Sequence, residues 1–150
     1  MRKIHFIRLL LLLVIPLMAF KKEKCNSDIL YEETLKKMKK FSLIKDYRIY
    51  LKKKKKKDQP EFQYFNITLN RGVKYKFFSV SSSEFTGKMI MNLYSNPQKE
   101  FMVATTLSQA SGDPKESVEF LSQTTGNFCV GFYFKDGEEG CGVGILSFQQ

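Results

Sequence analysis

Tryptophan is absent from this 150-residue chain, and histidine occurs once, at His5. Without Trp, the widest aromatic surface available for stacking on sugars is missing. His5 lies in a stretch with the marks of a removable leader, so the rest of the chain carries no imidazole. That excludes Ser–His and Cys–His nucleophile pairs, the commonest general base and zinc sites built on histidine. Long apolar runs are scarce as well. The one uncharged run, residues 9–20, has 12 residues, short of the ~20 that a membrane-spanning helix needs.

That run follows Met1-Arg2-Lys3, and Arg8 blocks its extension backwards. A positive start and a short apolar stretch make a secretion signal, with Ala19 as the small residue before cleavage. The expectation is a signal peptide over 1–19 and a mature protein exported to the periplasm or beyond. An uncleaved segment, leaving the protein membrane-anchored, is the alternative. Glu23-Lys24 stand where a lipid-anchored Cys25 would need small residues.

The net charge of +10 is unevenly placed. Residues 20–57 carry 15 basic and 5 acidic side chains, a net of +10, whereas 58–150 carry 7 and 10, a net of −3. A basic N-terminal segment is thus joined to a mildly acidic body, and the high isoelectric point is no nucleic-acid signature of the fold.

Residues 27–41 have the pattern of a helix, with Ser27 or Asp28 placed to cap it and lysines late, where they suit the helix dipole. Leu35 and Met38 share one face, with Tyr31 and Ile29 nearby; the apolar stripe is thin, so the helix is expected on a surface, within an N-terminal segment 20–45. From 46 the period changes to two. Strands are expected at 46–51, 62–69, 73–80, 88–95, 101–107, 117–121, 127–134 and 141–148. Phe65, Ile67 and Leu69 share one face, as do Phe128, Val130, Phe132 and Phe134. Turn residues such as Asn70-Arg71-Gly72 and Asn96-Pro97 separate the strands. Short strands at this spacing predict a mainly β protein over 46–150, an antiparallel β-sandwich or barrel of about eight strands, preceded by one short helix. Between the first two strands Lys52, Lys53, Lys54, Lys55, Lys56 and Lys57 repel one another, which predicts a disordered, solvated loop over 52–59.

The stretch Phe65-Asn66-Ile67-Thr68-Leu69-Asn70-Arg71-Gly72-Val73-Lys74-Tyr75, then Met91-Asn92-Leu93-Tyr94-Ser95-Asn96, and then Val118-Glu119-Phe120 through Thr125-Gly126-Asn127-Phe128-Cys129-Val130 resembles the bacterial pre-peptidase C-terminal type of domain over residues 61–149. That resemblance implies a secreted, non-catalytic jelly-roll-like sandwich accompanying a hydrolase. Lys88-Met89-Ile90-Met91 stands where the family often has acidic residues, so no calcium site is carried over. The closing 140–148 is similar to the ends of small uncharacterised exported bacterial proteins.

Three cysteines follow the leader: Cys25, Cys129 and Cys141. Export permits disulfides. Cys129 and Cys141 flank the last turn with equal parity, and a bridge there closes a loop of about 13 residues, worth roughly 3 kcal/mol. Buried thiols, or Cys25 paired with one of them, are the alternatives. Asp136, Glu138 and Glu139 form a polar hairpin tip and match no calcium loop. No catalytic residue, metal ligand or cofactor is expected. The six lysines can meet anionic lipid or polysaccharide, but no aromatic interrupts them, as base stacking would require. The functional expectation is a non-catalytic exported sandwich with a binding or accessory role towards a protein or polysaccharide, and no nucleic acid. Its alternatives are an envelope-associated structural protein held by the lysines and, last, a carboxylate-based hydrolase. A closed sandwich with a flat apolar patch favours the first, and a deep cleft with two facing acids the last.

Overall fold

The computed structural model of the protein describes residues 25–54 and 60–149. The expected leader at 1–19, and Lys55, Lys56 and Lys57, lie outside the described residues. Helix α1 spans Ser27–Lys37. Eight strands follow: β1 Phe41–Leu51, β2 Gln63–Leu69, β3 Lys74–Ser81, β4 Met89–Tyr94, β5 Met102–Thr105, β6 Ser117–Leu121, β7 Gly126–Phe134 and β8 Gly140–Gln149. They form two four-stranded sheets, ordered β1-β8-β3-β6 and β2-β7-β4-β5. All pairings are antiparallel. The pairs β1·β8, β2·β7, β3·β6 and β4·β5 trace one long hairpin bent between β4 and β5. The further pairs β3·β8 and β4·β7 roll that hairpin into a jelly roll. The expected eight-stranded sandwich with one N-terminal helix is the architecture found.

Strand parity builds the core. Ile67, Leu69, Met89, Met91, Leu93, Phe128, Val130, Phe132 and Phe134 face inward from one sheet, and Tyr47, Ile49, Tyr75, Phe77 and Leu146 from the other. On β8 the inward row includes three glycines that admit bulky partners from the facing sheet. A Cβ on Gly140 would collide with the ring of Phe134, and one on Gly144 with the ring of Phe132. A Cβ on Gly142 would stand 2.6 Å from the Val80 carbonyl oxygen, beside the Met89 thioether.

Helix α1 covers the outer face of the β1-β8-β3-β6 sheet. Leu30, Tyr31 and Leu35 of the helix, with Met38 and Phe41 after it, pack on Phe78, Val143 and Ile145. The helix is shorter than its pattern predicts, because Lys39 adopts a left-handed φ of 47° and ends it, and β1 begins at Phe41 rather than at 46. Neither expected cap acts as one. Asn26 occupies the cap position and makes no side-chain capping bond, while Asp28 accepts from the Arg48 guanidinium at 2.8 Å. Ile29, expected near the stripe, is exposed.

The expected Cys129–Cys141 bridge is corrected. Cys141 is bonded to Cys25, with Cα atoms 5.7 Å apart, within the usual range for disulfides, and Cys129 is a buried free thiol. A Cys129–Cys141 bridge requires β7 and β8 to form a hairpin within one sheet. In the jelly roll the turn between them crosses from one sheet to the other, about 10 Å away. Both cysteines point outward from their own sheets, so the sandwich lies between them.

Candidate binding face

The two outer faces of the sandwich differ. One lies under α1 and holds the disulfide. Over the other, that of β2-β7-β4-β5, no described helix passes. The side chains there are the complement of the core parity. Tyr64, Asn66 and Thr68 of β2 stand opposite Gly131, Cys129 and Asn127 of β7. Gly131 and Cys129 in turn stand opposite Asn92 and Tyr94 of β4.

Aromatic rings gather at one end of this face. Phe62 stacks parallel to Tyr64 with centroids 5.2 Å apart and packs on Tyr133 at 4.5 Å. Tyr64 meets Tyr94 edge-on at 6.3 Å. Gly131 makes the floor. A Cβ there would stand 2.7 Å from the Tyr64 ring, so only a residue without a side chain lets the ring lie against the sheet. Burial raises the Tyr64 phenol above its ordinary pKa, with Tyr94 adding to the rise. Tyr133 is raised for the same two reasons. The rings therefore stay neutral donors at physiological pH. Tyr64 remains 40% exposed, and Met102, opposite Tyr94 on the edge strand β5, is exposed as well.

The β4–β5 connection folds back over the face. Asn96 shapes it: its side-chain amide donates to Glu100 at 2.9 Å, its Oδ1 accepts from the Glu100 N–H, and its carbonyl accepts from the Lys99 N–H. Lys99 sits at the left-handed φ of 64°, and its ammonium lies 4.5 Å from the Tyr64 ring centroid, within cation–π range. Beneath this connection Cys129 is 2% exposed. Burial pushes its thiol pKa up, against the pull of Lys99, so the thiol is a poor nucleophile. Beside the rings, Asn66, Ile67, Thr68, Asn127 and Pro97 enclose a depression of about 190 Å³. Thr68 donates to Asn127 at 3.0 Å.

The expected site residues do not come together. Cys129 and Cys141 occupy opposite faces. Lys52, Lys53 and Lys54 leave the far end of β1 beside the β7–β8 turn. Lys53 pairs with Glu138 at 2.8 Å and Lys54 with Glu61 at 3.7 Å. The Lys54 N–H also donates to the Gly137 carbonyl. This part of the run is tied down rather than free, and the acidic turn serves as its counter-charge. A depression of about 250 Å³ between β3 and the 114–116 segment holds one carboxylate, Glu116, which is bonded to Lys37. The aromatic face was not singled out from the sequence. Its signal was the parity itself, since placing Phe65, Ile67 and Leu69 inward puts Tyr64, Asn66 and Thr68 outward.

No family model matches the chain, and no curated protein matches it. Among solved structures the chain is similar to a periplasmic inhibitor of g-type lysozyme from Aeromonas hydrophila, PliG. The identity is 10%, the TM-score 0.49, and the match covers 73% of this chain and 86% of that one.

Proposed function

We propose that this is an exported, non-catalytic binding protein that engages its partner through the open outer face of the β2-β7-β4-β5 sheet. One observation carries this reading: one outer face is covered by α1, while the other carries clustered rings on a glycine floor beside a polar depression. Ligand sites pair apolar and aromatic surface with a few placed polar groups in this manner, and Tyr is enriched at binding hot spots. The Cys25–Cys141 bridge supports export, because disulfides persist in oxidising compartments. The domain resembling the pre-peptidase C-terminal type fits the same role, as an accessory sandwich.

A second reading, attachment at an anionic envelope surface, is favoured by the place of that bridge. Cys141 stands opposite Tyr50 on β1, so Cys25 is fixed close to where Lys52 leaves the sheet. The test is amide NMR of the mature chain titrated with four probes: a neutral oligosaccharide, an acidic oligosaccharide, a g-type lysozyme, and phosphatidylglycerol vesicles. The first reading expects shifts at Tyr64, Tyr94, Asn127 and Tyr133 with at least one of the first three. Shifts restricted to residues 50–54 with vesicles would establish the second reading instead, and no shift with any probe rejects both.

A further inference from the structure

We infer that the depression beside Tyr64 is a subsite for one carboxylate-bearing sugar residue of an acidic polysaccharide. The inference rests on the binding face proposed above and names its ligand class. Three features carry it. The lining supplies neutral donors and acceptors on two strands, Asn66 and Thr68 of β2 and Asn127 of β7, and each amide both donates and accepts. That is the chemistry that sugar hydroxyls need. Pro97 walls one side, and the Tyr64 ring, held against the sheet by Gly131, is the platform over which the Lys99 ammonium rests. The volume of about 190 Å³ suits a single sugar ring rather than a peptide segment.

Charge decides between neutral and acidic sugars. No carboxylate lines the depression, and Lys99, two residues beyond its Pro97 wall, holds its ammonium over the ring of Tyr64, two residues before its Asn66 wall. Lys99 holds a backbone conformation that non-glycine residues rarely adopt. Strain of this kind persists where the surroundings enforce it, and it gathers at binding sites. Here the Asn96 turn enforces it, and the result is an ammonium carried back over the face from a strand two positions away. An ammonium in that place gives a charge-assisted bond to a sugar carboxylate, stronger than one to a neutral hydroxyl. A neutral glycan gains nothing comparable from it.

The experiment uses the mature chain and two forms of one ligand: oligogalacturonate, and the same oligomer with its carboxyls methyl-esterified. Affinity is measured by calorimetry at fixed salt, and the melting temperature of every variant is recorded. Wild type is expected to bind the free acid at least tenfold more tightly than the ester. Tyr64→Ala and Lys99→Gly should each lose at least tenfold. Lys99→Gly should melt no lower than wild type, because glycine relieves the left-handed strain, so its loss of binding cannot be ascribed to unfolding. Changing Lys52, Lys53 and Lys54 to Ser should leave affinity within twofold. Equal affinity for acid and ester overturns the acidic-sugar assignment while leaving the face in place. Loss of binding in the triple lysine variant alone, with Tyr64→Ala and Lys99→Gly unaffected, overturns both the subsite and the face. No binding of either oligomer overturns the subsite, and the lysozyme arm of the NMR titration then decides whether the face stands.

Discussion

The Tyr47 hydroxyl is buried between the sheets, and among the described residues it finds no hydrogen-bond partner. Its ring is well used, 4.7 Å from Phe65 and 5.3 Å from Phe132. The ring therefore stabilises the core while the oxygen carries a desolvation cost. Removing only the oxygen, in Tyr47→Phe, should raise stability by about 1 kcal/mol in urea titration. The same burial, reinforced by Asp46, pushes the phenol pKa from 10.0 up to about 12. The folded state then holds a proton that the unfolded state gives up. Stability from this group is complete below pH 10 and falls as pH rises towards 12. Tyr47→Phe should flatten the alkaline limb of the stability–pH curve, and an unchanged limb would mean that another group governs it.

At the scale of the strand, β8 is the element the fold leans on, since it lies between β1 and β3 and its inward glycines receive Phe132, Met89 and Phe134. Gly144→Ala puts a methyl group into the Phe132 ring in a packed core, where overpacking costs roughly 1–3 kcal/mol. Gly126→Ala is the control, because nothing stands within 4 Å of the added carbon. A denaturation midpoint that drops in the first variant and holds in the second checks the packing. The sequence made much of this element scale legible. Period-two alternation marked β2 and β7, and β6 falls on the residues expected of it. The partners of each strand were not legible. The turn 135–140 has the glycines and acids of an ordinary hairpin tip, yet it passes between sheets, and no local residue distinguishes the two cases. The same gap hid the binding face. Parity alone put Tyr64 and Asn66 outward, but bringing Tyr94 and Lys99 to them required knowing that β7 lies between β2 and β4.

For the whole molecule, the largest single constraint is the bridge that ties the first described residue to the last strand. It spans 116 positions, so it encloses nearly every pairing of the jelly roll. In the chain-entropy account a loop of that length restricts the unfolded chain by roughly 5 kcal/mol, far more than the roughly 3 kcal/mol of the short loop that the sequence suggested. The effect acts on the unfolded ensemble, and the folded contacts of α1 on Phe78, Val143 and Ile145 do not depend on it. Cys25→Ser should therefore keep the folded-state NMR spectrum away from the bridge and lower the urea midpoint. It should also raise the dependence of stability on urea, because a freed chain exposes more surface when it unfolds. Reductant added to wild type should reproduce all three results, whereas Cys129→Ala, which leaves the bridge intact, should keep the urea dependence of wild type. Peptide mapping without reduction should recover Cys25 joined to Cys141, with Cys129 alkylated only after unfolding. Recovery of a Cys129 cross-link from the native protein would contradict the crossing of β7 and β8 between sheets, and with it the jelly roll.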